Sequence, residues 1–289
     1  MPDPKRAERR AHFESGGIRV AMDRHVLYEA AVQGVEYDLD VFERIYRRHH
    51  THSFSWLRED FCGTAALAEA WVRRRRANRA WGVDLDRPTL DWAVAHRLPR
   101  MRAAAERLTL VCRDVRHGTR PRVDVVCALN FSYWVFRQRG DLLDYFRTAR
   151  RSLRPGGLLI VNAFGGTDTM KTLVETRRIA ISTSVDGDTV PAFTYVWEHV
   201  SFNPIDHGLV CHIHFRFRDG RQLKRAFTYD WRLWTLPEIQ DVMREAGFRD
   251  TEVYIEGWDD KRNKPDDTYR LRRRFENQEG WLAMVVGIS

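Results

Sequence analysis

Short apolar runs alternate with amphipathic stretches along the first half of the chain. The apolar runs, which have the length of buried strands, span residues 54–57, 80–83, 108–111, 123–129 and 157–162. The amphipathic stretches, whose apolar residues recur at helical spacing, span residues 66–76, 88–96 and 141–153. Strands that alternate with helices in this way form a mostly parallel sheet covered on both faces. The pattern therefore predicts an α/β fold with a doubly wound, Rossmann-like sheet.

The pattern changes on both sides of this region. Residues 1–50 contain two short amphipathic helices and are predicted to form an N-terminal helical cap ahead of residues 51–164, the cofactor-binding half. Residues 165–234 lose the helical pattern, residues 209–218 alternate between apolar and polar positions, and Asp219-Gly220 is typical of a hairpin turn, so we expect an inserted antiparallel β lid over residues 165–234 at the cofactor edge. Residues 235–289, with a helix at 236–246 and strands at 251–255 and 281–286, then complete a seven-stranded sheet.

Composition and charge narrow the class of protein. The chain has 289 residues, of which 43% are hydrophobic, enough for a full core. It shows neither a long apolar segment nor a secretory signal, so we expect a cytoplasmic protein without a membrane partner. The four cysteines are widely spaced and indicate neither disulfides nor a zinc site. A homo-oligomer is compatible with the sequence.

The net charge of +8 points toward nucleic acid, but its distribution does not. Only five of the 48 basic residues are lysines, and the arginine run at 73–76 falls in the last turn of a predicted helix. Charge runs of this kind are usually solvated faces. Nucleic acid therefore stays a weaker alternative to a small-molecule substrate.

One glycine turn and two acids carry the predicted chemistry. Asp60 ends the first strand, Gly63 follows it in a turn, and Asp84 ends the second strand 21 residues after Gly63. That interval matches the roughly 20 residues between the glycine turn of a nucleoside-binding βαβ unit and its ribose-binding acid. A diphosphate needs several glycines and no nearby carboxylate, so a dinucleotide is disfavoured. S-adenosylmethionine has free ribose hydroxyls, a sulfonium and an ammonium, and it suits this charge pattern.

These residues resemble the class I S-adenosylmethionine-dependent methyltransferase family, whose first motif is an acidic strand end followed by a glycine turn. The resemblance extends over residues 56–164 and from residue 236 onward. Within the family, the chain is most similar to the small-molecule methyltransferases that carry an inserted antiparallel lid. Where the family usually has two or three glycines, this chain has Cys62 and Ala65 around Gly63. The resemblance implies S-adenosylmethionine as the cofactor. The cofactor-binding residues that we expect on these grounds are Arg58, Asp60, Cys62, Gly63, Asp84, Leu85, Asp114, Val115, Leu129 and Asn130. Tyr28 of the cap is added on its position alone.

Individual roles follow from position. Asp84 is expected to accept hydrogen bonds from the ribose hydroxyls, and Asp114, with the amide of Val115, to face the adenine ring. Asp60 is expected to face the methionyl ammonium. Arg58 lies on the same strand face and either pairs with Asp60 or binds the methionyl carboxylate.

A base is needed if the acceptor is a hydroxyl or a protonated amine, and three side chains are candidates for it. Tyr133 follows the fourth strand, while His199 and His212 lie in the insert. His214 shares the strand face of His212, but without a carboxylate or cysteine cluster in the sequence we expect no metal. The expected reaction is in-line methyl transfer to a nitrogen or oxygen of a small molecule. An RNA or protein methyltransferase and a non-catalytic cofactor-binding protein are the alternatives.

Overall fold

A computed structural model of the protein describes residues 14–15, 18–19, 23–259 and 264–289. The helices are α1 (Arg24–Val32), α2 (Val35–His49), α3 (Ala66–Arg74), α4 (Arg87–His96), α5 (Leu98–Met101), α6 (Arg139–Ser152) and α7 (Leu236–Glu245). Within the described residues, 3-10 helices span Arg102–Arg107 and Ser132–Val135. No helix in the described part of the chain combines the length and the apolar character needed to cross a membrane.

The strands are numbered along the chain. Those of the first half are β1 (Glu14–Ser15), β2 (Ile18–Arg19), β3 (Trp56–Asp60), β4 (Arg79–Asp84), β5 (Leu108–Cys112), β6 (Val123–Ala128) and β7 (Leu153–Gly165). Those of the second half are β8 (Leu173–Ile179), β9 (Ser182–Thr183), β10 (Thr189–Val190), β11 (Phe193–Asn203), β12 (Gly208–Phe217), β13 (Gln222–Arg232), β14 (Asp250–Asp259), β15 (Lys264–Leu271) and β16 (Trp281–Ile288).

In the part of the chain that the structure describes, the central sheet has eight strands in the order β15-β14-β16-β7-β6-β3-β4-β5. The strands β5, β4, β3, β6 and β7 are parallel, and β16 pairs antiparallel with both β7 and β14. Strand β6 is buried along its whole length, as a strand covered on both faces must be. The predicted doubly wound α/β fold with a mostly parallel sheet is confirmed.

The strand β15 corrects the expected number of strands. Its residues are mostly polar, and the sequence predicted no strand between those at 251–255 and 281–286, yet β15 pairs antiparallel with β14 at the edge of the sheet. An edge strand needs few apolar residues, because only its backbone must find a partner. The sheet therefore has eight strands rather than seven.

The insert forms a second, four-stranded sheet in the order β13-β12-β11-β8. An inserted antiparallel sheet was predicted, but its fourth strand, β8, was not identified from the sequence. The chain divides into two compact units. One comprises residues 1–33, 173–198 and 211–228, and the other comprises residues 34–172, 199–210 and 229–289. The two helices of the predicted cap thus belong to different units, and the division of the chain proposed from sequence remains a prediction.

Candidate active site

The parallel strands bring the predicted cofactor residues to one edge of the sheet. In the parallel register, Asp60 of β3 pairs with Val83 of β4 on one side and with Ala128 of β6 on the other. The segments that follow these strands therefore begin side by side. Open α/β sheets bind ligands at this carboxyl edge.

The carboxylate of Asp84 connects the end of β4 to the glycine turn. Its Oδ2 accepts a hydrogen bond from the Gly63 N–H at 2.8 Å, and its Oδ1 accepts one from the Asp86 N–H at 2.9 Å. Burial raises the pKa of Asp84, and the two amide donors act in the opposite direction. Leu85, the next residue, leaves 69% of its surface exposed at this edge. The structure thus brings Gly63, Asp84 and Leu85 together, as expected for a ligand-binding edge.

The turn between β3 and α3 alternates left-handed with ordinary backbone. Phe61, Gly63 and Ala65 have φ angles of 56°, 51° and 59°, although only one of them is glycine. Between them, Cys62 is buried and donates its N–H to the Val83 carbonyl at 3.1 Å. The single-glycine sequence therefore forms a complete turn, at the cost of two non-glycine residues in a conformation that favours glycine.

Asp60 does not face the ligand edge in the way that we expected. Its Oδ1 accepts a hydrogen bond from Arg58 Nε at 2.6 Å, its Oδ2 accepts one from the Tyr145 hydroxyl at 3.0 Å, and both members of the Arg58–Asp60 pair are buried. Burial raises the pKa of Asp60, and Arg58 partly offsets that effect. The internal pair, which was the alternative raised from sequence, is present. The contact expected between Asp60 and the methionyl ammonium is not supported.

Glu59 is a buried acid of this site that the sequence analysis missed. It lies between Arg58 and Asp60 and therefore on the opposite face of β3, where its Oε2 accepts the Ala68 N–H of α3 at 3.0 Å. Burial raises the pKa of Glu59 to about 8, so its carboxyl group is mostly protonated at pH 7. The alternation of side chains along a strand was the signal that distinguishes Glu59 from its neighbours.

The residues expected at the adenine ring have partners within the protein. Arg116 forms an ion pair with Asp114 at 2.8 Å, and its hydrogen bonds to that carboxylate lower the pKa of Asp114. Val115 is buried, and its carbonyl accepts a hydrogen bond from Arg58 Nη2 at 2.8 Å. The structure thus places Asp114 beside the predicted edge as one half of an ion pair.

Aromatic side chains cluster around the carboxyl ends of β6 and β7. After Leu129, both Asn130 and Phe131 are left-handed, with φ angles of 52° and 57°. The ring of Phe131 lies 4.6 Å from that of Phe164, which in turn stacks on Trp134 at 4.7 Å. We call Phe131, Trp134, Phe164 and Trp231 the aromatic wall; Trp231 contacts Trp134 at 5.9 Å.

Two of the candidate bases, Tyr133 and His199, differ in how well their surroundings suit the role of a base. Tyr133 is fully buried, and burial raises its pKa well above the ordinary value of a phenol, so the prediction that it acts as a base is not supported. His199 is 6% exposed, with its ring 5.9 Å from Phe164 of the aromatic wall. Burial lowers the pKa of His199, and a backbone hydrogen bond with Lys171 partly offsets this. His199 is therefore neutral at pH 7, as a proton acceptor must be.

The remaining predicted residues lie in the unit formed mainly by the insert. Tyr28 packs on Phe227 with 4.9 Å between ring centroids. Glu198 accepts a hydrogen bond from Nε2 of His214 at 2.8 Å, and Nδ1 of His212 lies 3.4 Å from the same carboxylate oxygen. His212 is thus held by a carboxylate, a partner that the sequence analysis did not identify.

The three groups Glu198, His212 and His214 have the spacing of metal ligands, since their donor atoms lie within 4.8 Å of one another. The Arg225 N–H, however, donates to Nδ1 of His214 at 3.2 Å, so a neutral His214 carries its proton on Nε2. A metal on Nε2 would move that proton to Nδ1, against the amide donor. The arrangement therefore favours a hydrogen-bonded cluster over a metal site.

Comparisons with known proteins agree with this geometry. Residues 60–161, which include the glycine turn, Asp84 and β6, match the family model of a methyltransferase domain. No curated protein matches the chain significantly.

Three solved structures share the fold at low sequence identity. An S-adenosylmethionine-dependent methyltransferase from Clostridium acetobutylicum has 17% identity and a TM-score of 0.62, covering 90% of this chain and 95% of its own. The amino pentose methyltransferase CalS10 from Micromonospora echinaspora has 14% identity and a TM-score of 0.61, with coverages of 90% and 95%. The sugar N-methyltransferase KedS8 from Streptoalloteichus has 18% identity and a TM-score of 0.57, with coverages of 96% and 98%. Residues 60–161 therefore match a methyltransferase domain, and the chain has the fold of the class I S-adenosylmethionine-dependent methyltransferases.

Proposed function

We propose that the protein transfers a methyl group from S-adenosylmethionine to a nitrogen or oxygen nucleophile of a small molecule, with an amine nitrogen as the favoured acceptor. The observation that carries the proposal is the Asp84 carboxylate at the end of β4, held by the Gly63 amide at 2.8 Å. Its Oδ2 accepts the Gly63 N–H and its Oδ1 accepts the Asp86 N–H, and a carboxylate has about four lone-pair positions, so it can also accept hydrogen bonds from ribose hydroxyls. The fit to the cofactor rests on this carboxylate as an acceptor for the ribose hydroxyls.

The chain's own residues would contribute mainly by positioning. The cofactor, when bound, supplies a methyl group already activated by the sulfonium. Alignment of a nucleophile with that methyl group is worth up to about 7–11 kcal/mol as an upper range for proximity and orientation. The aromatic wall would exclude water beside the carboxyl ends of β6 and β7, where the nucleophile has to approach.

The amine preference rests on two considerations. Two of the structures that share the fold are named as an amino pentose methyltransferase and a sugar N-methyltransferase. In addition, His199 is neutral beside Phe164, so one of its imidazole nitrogens is able to accept the proton that an ammonium group must lose before it attacks. His212 is the second candidate base, because the carboxylate of Glu198 near Nδ1 leaves Nε2 as its acceptor atom.

Calorimetric titration with S-adenosylmethionine and with its demethylated product tests the cofactor assignment. We expect the wild type to bind both, and Asp84→Asn to bind both at least about 10-fold more weakly, because hydrogen bonds to a charged carboxylate contribute about 1.5–3 kcal/mol each. Asparagine retains an acceptor for the Gly63 amide, so the turn should persist.

Asp86→Asn is the matched control, because Asp86 is an exposed acid two residues further along the chain. The control should bind like the wild type. Undiminished affinity in Asp84→Asn would contradict the ribose assignment. Transfer of a labelled methyl group to a panel of amino sugars and hydroxylated analogues then tests the acceptor, and transfer to oxygen alone would contradict the amine preference.

A further inference from the structure

The backbone of Phe61 lies in a conformation that a phenylalanine adopts only at an energetic cost. Its φ of 56° falls in the left-handed region, directly after the last residue of β3. The left-handed residue ends the strand, and the next N–H, that of Cys62, turns to the Val83 carbonyl at 3.1 Å. A glycine would make this turn without the cost. Backbone strain of this kind at a ligand-binding edge indicates a functional role for the side chain.

The ring of Phe61 is supported from one side. It contacts the rings of Phe136 and Tyr145, each at 5.9 Å between centroids. Those two rings are buried and contact each other at 5.3 Å, whereas Phe61 remains partly exposed. The neighbours therefore fix the ring and leave part of its surface at the carboxyl edge of the sheet.

The acids near Phe61 have partners inside the protein, so the aromatic ring is the group that a bound cation would contact. The carboxylate of Asp60 is already bound to Arg58 and to the Tyr145 hydroxyl. Glu59 lies on the opposite face of β3 and bonds to the amide of Ala68. The two acids that precede Phe61 in the chain are thus hydrogen-bonded to groups inside the protein.

The strand order suggests which part of the cofactor would lie here. If Asp84 at the end of β4 binds the ribose and Asp114 after β5 faces the adenine, the methionyl end extends toward β3 and β6, because the sheet order is β5-β4-β3-β6. Phe61 at the end of β3 then falls on the side of the sulfonium. A sulfonium is a weakly hydrated cation, and the face of an aromatic ring attracts cations through its quadrupole.

We propose that the ring of Phe61 receives the sulfonium of S-adenosylmethionine in a cation–π contact and so distinguishes the cofactor from its neutral thioether product. The proposal rests on the function proposed above. It has a direct consequence for turnover: after methyl transfer the positive charge on sulfur is lost, and with it the attraction to the ring. Phe61 would then favour exchange of product for fresh cofactor.

The test compares the affinities of S-adenosylmethionine and S-adenosylhomocysteine by calorimetry in four proteins. Phe61→Leu keeps an apolar side chain without a π face, and we expect it to lower the affinity for the sulfonium compound about 5- to 10-fold, within the range of cation–π interactions. Its affinity for the thioether should change less than about 2-fold on the same grounds, because a neutral sulfur has no such interaction. Phe61→Tyr should restore the wild-type ratio.

Ala65→Gly is the control for the backbone, because Ala65 shares the left-handed conformation of Phe61 without an aromatic ring. It should leave the ratio of the two affinities unchanged. An equal loss for both compounds in Phe61→Leu, or no loss for either, would overturn the cation–π assignment while leaving the proposed function in place. Failure of the wild type to bind either compound would overturn the proposed function itself, and this assignment with it.

Discussion

At the scale of single residues, burial decides what the acids at the carboxyl edge of the sheet do. Glu59, Asp60 and Asp84 lie within two neighbouring strands, and burial raises the pKa of all three. Their partners nevertheless differ: Glu59 bonds to an amide, Asp60 to Arg58 and Tyr145, and Asp84 to two amides. Only Asp84, partly exposed at the end of β4, combines a prepared carboxylate with access to a ligand.

Glu59 should make the free energy of unfolding depend on pH. Its pKa is raised from 4.5 to about 8, so between these values the folded protein keeps a proton that the unfolded chain has lost. The resulting stabilisation is complete below pH 4.5 and is lost as the pH rises toward 8, with a slope of at most about 1.4 kcal/mol per pH unit. Glu59→Gln keeps an acceptor for the Ala68 amide but does not titrate.

Urea denaturation of the wild type and of Glu59→Gln across this pH range measures the effect. The stability of the wild type should decrease relative to that of the variant as the pH rises. Asp38→Asn is a useful control, because the pKa of Asp38 is also raised, to about 7. Asp38 therefore contributes to the pH dependence of stability in both the wild type and Glu59→Gln. Parallel stability curves for the wild type and Glu59→Gln would show that Glu59 is ionised in the folded state.

His199 should leave its signature in the pH dependence of the reaction. Burial lowers its pKa, so the neutral form that the proposed base requires persists below the ordinary histidine value of about 6.5. We expect kcat/KM to fall only at more acidic pH, and His199→Gln to lose about 10²- to 10⁴-fold in rate together with this acidic limb. His49→Gln, which changes a histidine paired with Glu252, is the control. An unchanged profile in His199→Gln would assign the base elsewhere, with His212 as the next candidate.

At the scale of elements, the turn from β3 into α3 depends on close packing against β4. A side chain at Gly82 of β4 would bring its Cβ to 2.9 Å from the Cys62 sulfur and 3.0 Å from Leu110 Cδ2. Gly82 therefore allows the turn that carries Gly63 to lie directly against β4. The same approach permits the hydrogen bond between Cys62 and the Val83 carbonyl.

Gly82→Ala should destabilise the protein by about 1–3 kcal/mol, the usual cost of overpacking. Because Cys62 supplies the nearer obstructing atom, the double variant Gly82→Ala/Cys62→Ala should recover part of that loss, which a double-mutant cycle in urea detects. Gly140→Ala is the matched control, since an added methyl group there meets no atom within 4 Å. Strict additivity of the two changes would contradict direct contact between positions 62 and 82.

At the scale of the whole molecule, arginines of the basic run at 73–76 form ion pairs with acids of the protein. Arg74 of the basic run forms ion pairs with Glu36 at 2.6 Å and with Asp40 at 2.7 Å. Arg73 of the same run pairs with Glu69 at 2.8 Å. These arginines therefore contact acidic side chains of the protein itself, which weakens the case for a polyanionic substrate.

Salt and chelators should accordingly have little effect on activity. A protein that neutralises six to ten phosphates loses about 10³- to 10⁵-fold in affinity between 50 and 200 mM salt, whereas a small amine acceptor makes no such contacts. We expect KM for the acceptor to change less than about 3-fold over that range, and EDTA to leave the rate unchanged. A steep salt dependence would support the RNA alternative. Loss of activity in EDTA would indicate a required metal, for which Glu198, His212 and His214 are the candidate ligands.

The sequence by itself determined the alternation of strands and helices in residues 51–164, the antiparallel sheet of the insert, and the positions of Gly63 and Asp84 at the ends of consecutive strands. These features depend on local periodicity and on chain spacing, which are properties of short segments. Strand β15 was missed because an edge strand lacks the apolar pattern that reveals a buried one.

Only the tertiary structure decided the roles of individual polar side chains. Asp60 turned inward to Arg58 and Tyr145, Glu59 became a protonated buried acid, and Tyr133 was enclosed in the core. Phe61 acquired a left-handed backbone and a supported ring in the same way. The physical reason is common to all of them: the partners that set burial and charge, such as Tyr145 for Asp60, lie far away in the chain and meet only when the sheet and its helices have packed.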